Sequence, residues 1–253
     1  SRGLGDVYKR QTAMCAGIST LVMLTHFFKK SNTLRLQFSK EIFRLFGRIT
    51  VNGFSSFIID VAMGVLTMLF NRQIMKYLGT DALAVYGVIV SVSTLVQCCS
   101  YGIGQASQPI ISQNYGAGNV GRIKKMLRYN IITAAIFGAV WAAITFAVPN
   151  GLIRLFMTPT ASVLAIAPAI IRIYGSSFLL LPFNVYSTYY FQATMRAKTS
   201  MFVSVARGIL ISGALILIIP VTLGADMIWW AMPVTELVVA VFAGAMMTKK
   251  IQP

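Results

Sequence analysis

Apolar residues run in long blocks separated by short polar or basic stretches. Seven blocks lie at about residues 12–28, 49–71, 82–113, 129–149, 163–194, 201–221 and 226–247. Each reaches or approaches the roughly 20 residues that carry a helix across a bilayer. The third and fifth are near 30 residues long. Those helices must tilt, kink or project beyond the lipid, and Pro109 and Pro182 are candidate kink sites. The pattern predicts an all-α integral membrane protein with no soluble second domain.

Polar residues inside the blocks are spaced, not scattered. In the third block Gln97, Tyr101, Gln105, Gln108 and Ser112 follow steps of four, four, three and four. At about 100° per residue they fall within an arc of roughly 80°. In the second block Asn52, Ser56, Asp60, Gly64, Thr67 and Asn71 share one face, and in the fifth Asn184, Thr188 and Gln192 recur every fourth residue. Isolated polar groups in a bilayer face protein or a water-filled cavity. A shared hydrophilic cavity accounts for all three stripes. The alternative is hydrogen bonding between helices of a packed bundle, but stripes of this length exceed what a few packing contacts need.

Two acids lie at membrane depth. Asp60 is about eleven residues from either end of its block, and Glu236, in "MPVTELVVAV", is about ten residues into the last. An ionisable group there is a functional candidate. It can carry a proton or, if left ionised, ligate Na⁺, so both are candidates for cation or proton coupling, with Na⁺ possible at Asp60. The competing assignment is a structural ion pair, for example with Arg207 or Arg172.

The stretch "YGIGQASQPIISQNYGAGN", residues 101–119, combines two roles. Gly102 and Gly104 permit close helix packing. Gly116, Gly118 and Gly121, with Asn114 and Asn119, supply the capping and turn chemistry that ends a helix. No strand precedes these glycines, so nucleotide binding is not implied.

Composition agrees with the pattern. The chain of 253 residues is 57% hydrophobic and only 11% charged, against about 25% charged in a soluble domain. The net charge of +16 sits in short clusters between the blocks, which excludes nucleic-acid binding as its reason. On one side lie Lys29, Lys30, Arg35, Lys40, Arg44, Arg48, Arg122, Lys124 and Lys125. Arg128, Arg196, Lys198, Lys249 and Lys250 share that side, with Arg207 just inside the helix. Only Arg72, Lys76 and Arg154 fall in the opposite loops. The excess marks the cytoplasmic side. Residues 34–48 are amphipathic, with Phe38, Ile42, Leu45 and Phe46 opposite Lys40, Arg44 and Arg48, as in a helix lying on an anionic leaflet.

The first eleven residues are polar and abruptly different from the apolar run after them, so they are set aside as a non-native leader. Cys15, Cys98 and Cys99 form no metal or disulfide spacing, and the lone histidine, His26, ends an apolar run beside two lysines. No GxSxG, HExxH or histidine constellation occurs. Neither an enzyme nor a cofactor is expected.

The segment "GIGQASQPIISQNYGAGNVGRIKKML" resembles the MATE (multidrug and toxic compound extrusion) transporters, in particular their MepA-like branch, where a similar segment ends the eighth helix. "NGFSSFIIDVAMGVLTMLFN", "YFQATMRAKTSMFVSVAR" and "IWWAMPVTELVVA" are similar to the seventh, tenth-to-eleventh and twelfth helices. The resemblance spans about residues 12–250.

That resemblance implies a fold of twelve helices in two pseudo-symmetric lobes that rock about a central cavity. Residues 12–30 would end the sixth helix, 31–48 form the cytoplasmic connector, 49–248 the six-helix C-terminal lobe, and 249–253 a cytoplasmic tail. The N-terminal lobe would lie outside this chain. The resemblance further implies export of cationic amphipathic drugs in exchange for Na⁺ or H⁺, from a bacterial plasma (inner) membrane. Some members carry a coupling acid in the seventh helix, where Asp60 falls. The usual Pro near the start of that helix is replaced by "GFSS". A related lipid-linked oligosaccharide flippase would favour a more cationic cavity, and a seven-helix receptor would need a complete first helix.

Overall fold

The computed structural model describes residues 2–25, 46, 61 and 63–249. The chain divides into two units, residues 1–51 and 52–253. In the first unit, helix α1 runs Arg2–Leu24. It begins well before residue 12, so the polar leader and the apolar run share one helix. Of the amphipathic stretch 34–48, only Phe46 is described, helical and exposed. The rest of that stretch, and most of the second apolar block up to residue 62, lies outside the described residues.

The described part of the second unit is built of helices joined by short turns. In chain order come α2 (residues 63–77), α3 (Gly79–Gly116), α4 (Val120–Ala147), α5 (Pro149–Phe156), α6 (Ala161–Gly175) and α7 (Leu181–Ala193). Then follow α8 (Ala197–Val205), α9 (Ile211–Thr222) and α10 (Ala231–Met247). A 3₁₀ turn, Ser176–Leu179, joins α6 to α7, and a π-helical turn, Ala206–Leu210, joins α8 to α9. A further 3₁₀ turn, Ala225–Trp230, leads into α10. Joined this way, the described residues hold five spans long and apolar enough to cross a membrane: 79–116, 120–147, 161–193, 197–222 and 225–247.

Local chemistry explains the boundaries. α3 stops at Gly116, where the Ala117 amide returns to the Gln113 carbonyl at 3.1 Å and the Asn119 amide to the Asn114 carbonyl at 2.8 Å. Gly118 takes φ +70° there, a backbone region that glycine enters without a Cβ penalty. α4 starts at Val120, about nine residues before its apolar block. Arg122, Lys124, Lys125 and Arg128 are therefore exposed in its first turns and not in a loop. Hydropathy marks where lipid begins, and the helix starts earlier because its first turns are solvated.

The two prolines behave differently. Pro109 sits inside α3, which continues through it. Pro182 lies in the first turn of α7, directly after the 3₁₀ break. A proline lacks the amide donor and crowds the preceding turn, so the helix yields on its N-terminal side.

α3 is the central element and lies against α4, α6 and α7. One apolar core gathers around Phe70, Tyr86, Tyr174, Phe178 and Trp229. The Phe70 and Tyr86 rings stack with centroids 5.0 Å apart, and Trp229 lies 6.3 Å from Tyr86. A second core, around Ile111, Ile123, Tyr190, Phe191, Val203 and Val239, lies toward the end that the Lys and Arg count assigns to the cytoplasm.

Candidate functional site

Between these two cores the polar stripes meet. Gln97, Tyr101 and Gln105 of α3 share a cavity of about 300 Å³ with Thr188 and Gln192 of α7. The spacing of polar residues in two helices thus leads to one hollow. Tyr189 of α7 also lines it, as do Ser204, Arg207 and Gly208 from α8 and the π turn. Val185 and Met63 supply apolar wall.

α3 and α7 can approach closely enough to share this wall because Gly104 faces Tyr189. A Cβ added at Gly104 would stand 2.7 Å from the Tyr189 Cγ and 2.9 Å from its Cε2. The Tyr101 and Tyr189 rings meet edge to face, with centroids 6.2 Å apart and planes at 72°. The Gln97 amide donates to the Tyr101 hydroxyl at 2.8 Å. Longer contacts of 3.4 Å run from the Gln105 amide to the Tyr189 hydroxyl and from the Gln108 amide to the Gln192 carbonyl oxygen. The wall is therefore built from amides, hydroxyls and ring faces that can re-pair with a guest.

The remaining candidates fall elsewhere. Gln108 reaches Gln192 but does not line the cavity. Thr67 bonds to the Met63 carbonyl in its own helix at 3.0 Å and is part-buried. Asn52, Ser56 and Asp60 lie outside the described residues. Asn184, one turn before Thr188, is fully buried and turns away from the cavity toward Glu236.

Glu236 of α10 is likewise fully buried. Its Oε1 accepts from the Arg207 Nε at 2.7 Å, and its Oε2 accepts from the Asn184 amide at 2.5 Å. The same amide group also reaches the Glu236 backbone carbonyl at 2.8 Å. One carboxylate thereby ties α7, α10 and the π turn together. Arg172, the other arginine weighed as a partner, instead donates to the Phe146 carbonyl at 3.1 Å.

The π turn places Arg207. The Ile211 amide bonds to the Ala206 carbonyl, five residues back, and the Ser212 hydroxyl donates to the Arg207 carbonyl at 2.7 Å. Widening of this kind frees carbonyls and redirects side chains, and it recurs at functional sites. Arg207 thereby reaches both the buried carboxylate and the cavity. Sequence spacing identified Arg207 only as a possible partner of Glu236, because a π turn breaks the periodicity that placed the other residues. Among the described residues, no group of three or more His, Cys, Asp and Glu side chains is arranged to hold a metal ion.

The MatE family model matches residues 54–223. The multidrug export protein MepA of Staphylococcus saprophyticus subsp. saprophyticus is 24% identical over 234 residues, which is 92% of this chain and 51% of that protein. MepA of Staphylococcus aureus (strain MRSA252) is 22% identical over the same length. The chain spans about half the length of these curated relatives. Among solved structures, the MATE multidrug transporter DinF-BH superposes with a TM-score of 0.79 at 21% identity, over 94% of this chain and 54% of that one. An outward-facing multidrug resistance MATE family transporter gives 0.78 at 19% identity, over 90% and 52%. At these identities the likeness establishes the fold.

Proposed function

The chain belongs to the MatE family of membrane transporters, and on that premise we propose that it supplies the cavity-bearing C-terminal lobe of a secondary active multidrug efflux antiporter. It is a multi-pass protein of the bacterial plasma membrane. The observation that carries the proposal is the cavity itself: two polar helical faces, on α3 and α7, enclose about 300 Å³. Amphipathic cationic drugs would bind against its tyrosine faces and amides, with cation–π contact supplying part of the attraction. Export would be driven by inward movement of H⁺ or Na⁺. Asp60 and Glu236 are the proposed coupling acids, with Na⁺ possible at Asp60. The second wall would come from an N-terminal lobe, as the half-length match to the relatives supports.

The experiment is efflux of a cationic dye from vesicles carrying the full-length protein, energised in turn by a proton and a sodium gradient. Coupled efflux by the native protein, and loss of coupling in Asp60→Asn, is the expected result. Coupling unchanged in Asp60→Asn removes that residue from the mechanism. Efflux indifferent to both gradients removes the antiport reading. The 253-residue chain alone is expected not to transport.

A further inference from the structure

The cavity wall carries a charge that the multidrug reading does not use. Of its described lining residues, Arg207 alone is charged. Its counter-ion lies behind it: Glu236 is fully buried and accepts from the Arg207 Nε, while the Arg207 side chain keeps 13% of its surface exposed. That pairing occupies one edge of the guanidinium. The Nη groups make no hydrogen bond to any described residue, so two nitrogens with four N–H donors remain on a side chain that lines the cavity. An arginine with a free fork is suited to receive a carboxylate, sulfonate or phosphate in a paired geometry.

The surroundings favour such a guest. Gln97 and Gln105 offer neutral amides, and Tyr101 and Tyr189 offer ring faces at their edge-to-face contact. No described carboxylate lines the cavity to compete for the Nη donors. We infer that Arg207 is a recognition residue for an acidic group on the cargo. Accepted compounds would then include planar amphiphiles that carry a carboxylate beside their apolar rings, zwitterionic dyes among them. The Glu236 carboxylate sets the strength of that recognition. It neutralises part of the guanidinium charge while holding it in place, so its removal should strengthen anion binding and not weaken it. This inference rests on the cavity being the cargo site.

A matched pair of ligands tests it: one xanthene dye as the free carboxylate and as its ethyl ester. Equilibrium binding of each to the full-length protein in lipid nanodiscs is followed by fluorescence anisotropy at neutral pH. The acid should bind about tenfold more tightly than the ester, the scale of one charge-assisted paired contact. Glu236→Gln should keep or widen that ratio. The double variant Arg207→Gln/Glu236→Gln, which removes both buried charges together and so leaves neither unpaired, should bring the ratio to about one. Arg207→Lys, which keeps charge but not the fork, should fall between. A native protein that binds acid and ester equally, or binds neither, overturns the inference, as does a double variant that keeps the native ratio. Gradient-driven efflux of the ester is scored separately. It judges the antiport reading and is indifferent to Arg207's preference for acids.

Discussion

The ring of Tyr189 lies so close to Gly104 that no side chain fits between α7 and α3 at that point. The consequence is a prediction for Gly104→Ala. The new Cβ would meet Cγ and Cε2 of the ring at 2.7 and 2.9 Å, and these are atoms in the body of the ring, not the end of a flexible chain. Tyr189 must tilt or the helices must part. Overpacking of this sort costs about 1–3 kcal/mol. Thermal unfolding in nanodiscs should show the loss, together with weaker dye binding because Tyr189 lines the cavity. Gly102→Ala, with nothing within 4 Å of its new Cβ, should leave both unchanged.

A second close approach sits at the break between α6 and α7. A Cβ at Gly138 of α4 would stand 2.5 Å from the Leu179 carbonyl oxygen and 2.9 Å from that of Phe178. Both obstacles are backbone, and neither can rotate away. Gly138→Ala should therefore lower the melting temperature at least as much as Gly104→Ala. Its effect on dye binding should be smaller, since neither Gly138 nor Leu179 lines the cavity. Equal effects of the two variants on binding would mean that the 3₁₀ break and the cavity move as one unit.

The fold and the cavity were legible to different depths, and the residues show why. Gln97, Tyr101, Gln105, Thr188 and Gln192 could be placed from spacing alone, because each is a polar group in an apolar helix and an unbroken α-helix preserves angle. Asn184 shares the α7 stripe but serves Glu236, since its first-turn position beside the 3₁₀ break points into the bundle. Arg207 escaped the pattern for a related reason: a π turn shifts register, and register was the signal. Tyr189 was passed over because an aromatic ring reads as core. Its only sequence-level cue was its position beside Thr188. Hydropathy likewise could not mark the start of α4 or the short helix α5, whose residues lie at the edge of or beyond the apolar block.

The ion pair between Arg207 and Glu236 should be asymmetric. Removing one partner of a buried pair costs about 3–5 kcal/mol when the other charge is left without water. Glu236 is fully enclosed, whereas Arg207 retains exposure to the cavity. Arg207→Leu therefore strands a carboxylate among α7 and α10, while Glu236→Gln leaves a cation that water in the cavity can reach. Arg207→Leu should lower the melting temperature more than Glu236→Gln, and a double Arg207→Leu/Glu236→Gln variant should recover part of the loss. Equal destabilisation by the two single changes would place both charges in the same dry environment.

Hydration of the cavity can be read with thiol chemistry. Cys99 is exposed on α3 but lies about 160° round the helix from the centre of the Gln97–Gln105 stripe. A face turned away from the cavity on so apolar a span is expected to meet lipid, into which a charged reagent does not partition. Gln105 points into the cavity. In the full-length protein with Cys15, Cys98 and Cys99 changed to Ala, Gln105→Cys should react with a membrane-impermeant, charged methanethiosulfonate. A variant retaining Cys99 alone should react at least about tenfold more slowly, because the charged reagent is excluded from that face. Saturating dye should slow the reaction at position 105, because guest and reagent compete for the same space. Rapid labelling of Cys99 would show that its face of α3 is not sealed by lipid, and labelling at 105 that dye does not slow would show that the polar stripe does not face a binding cavity.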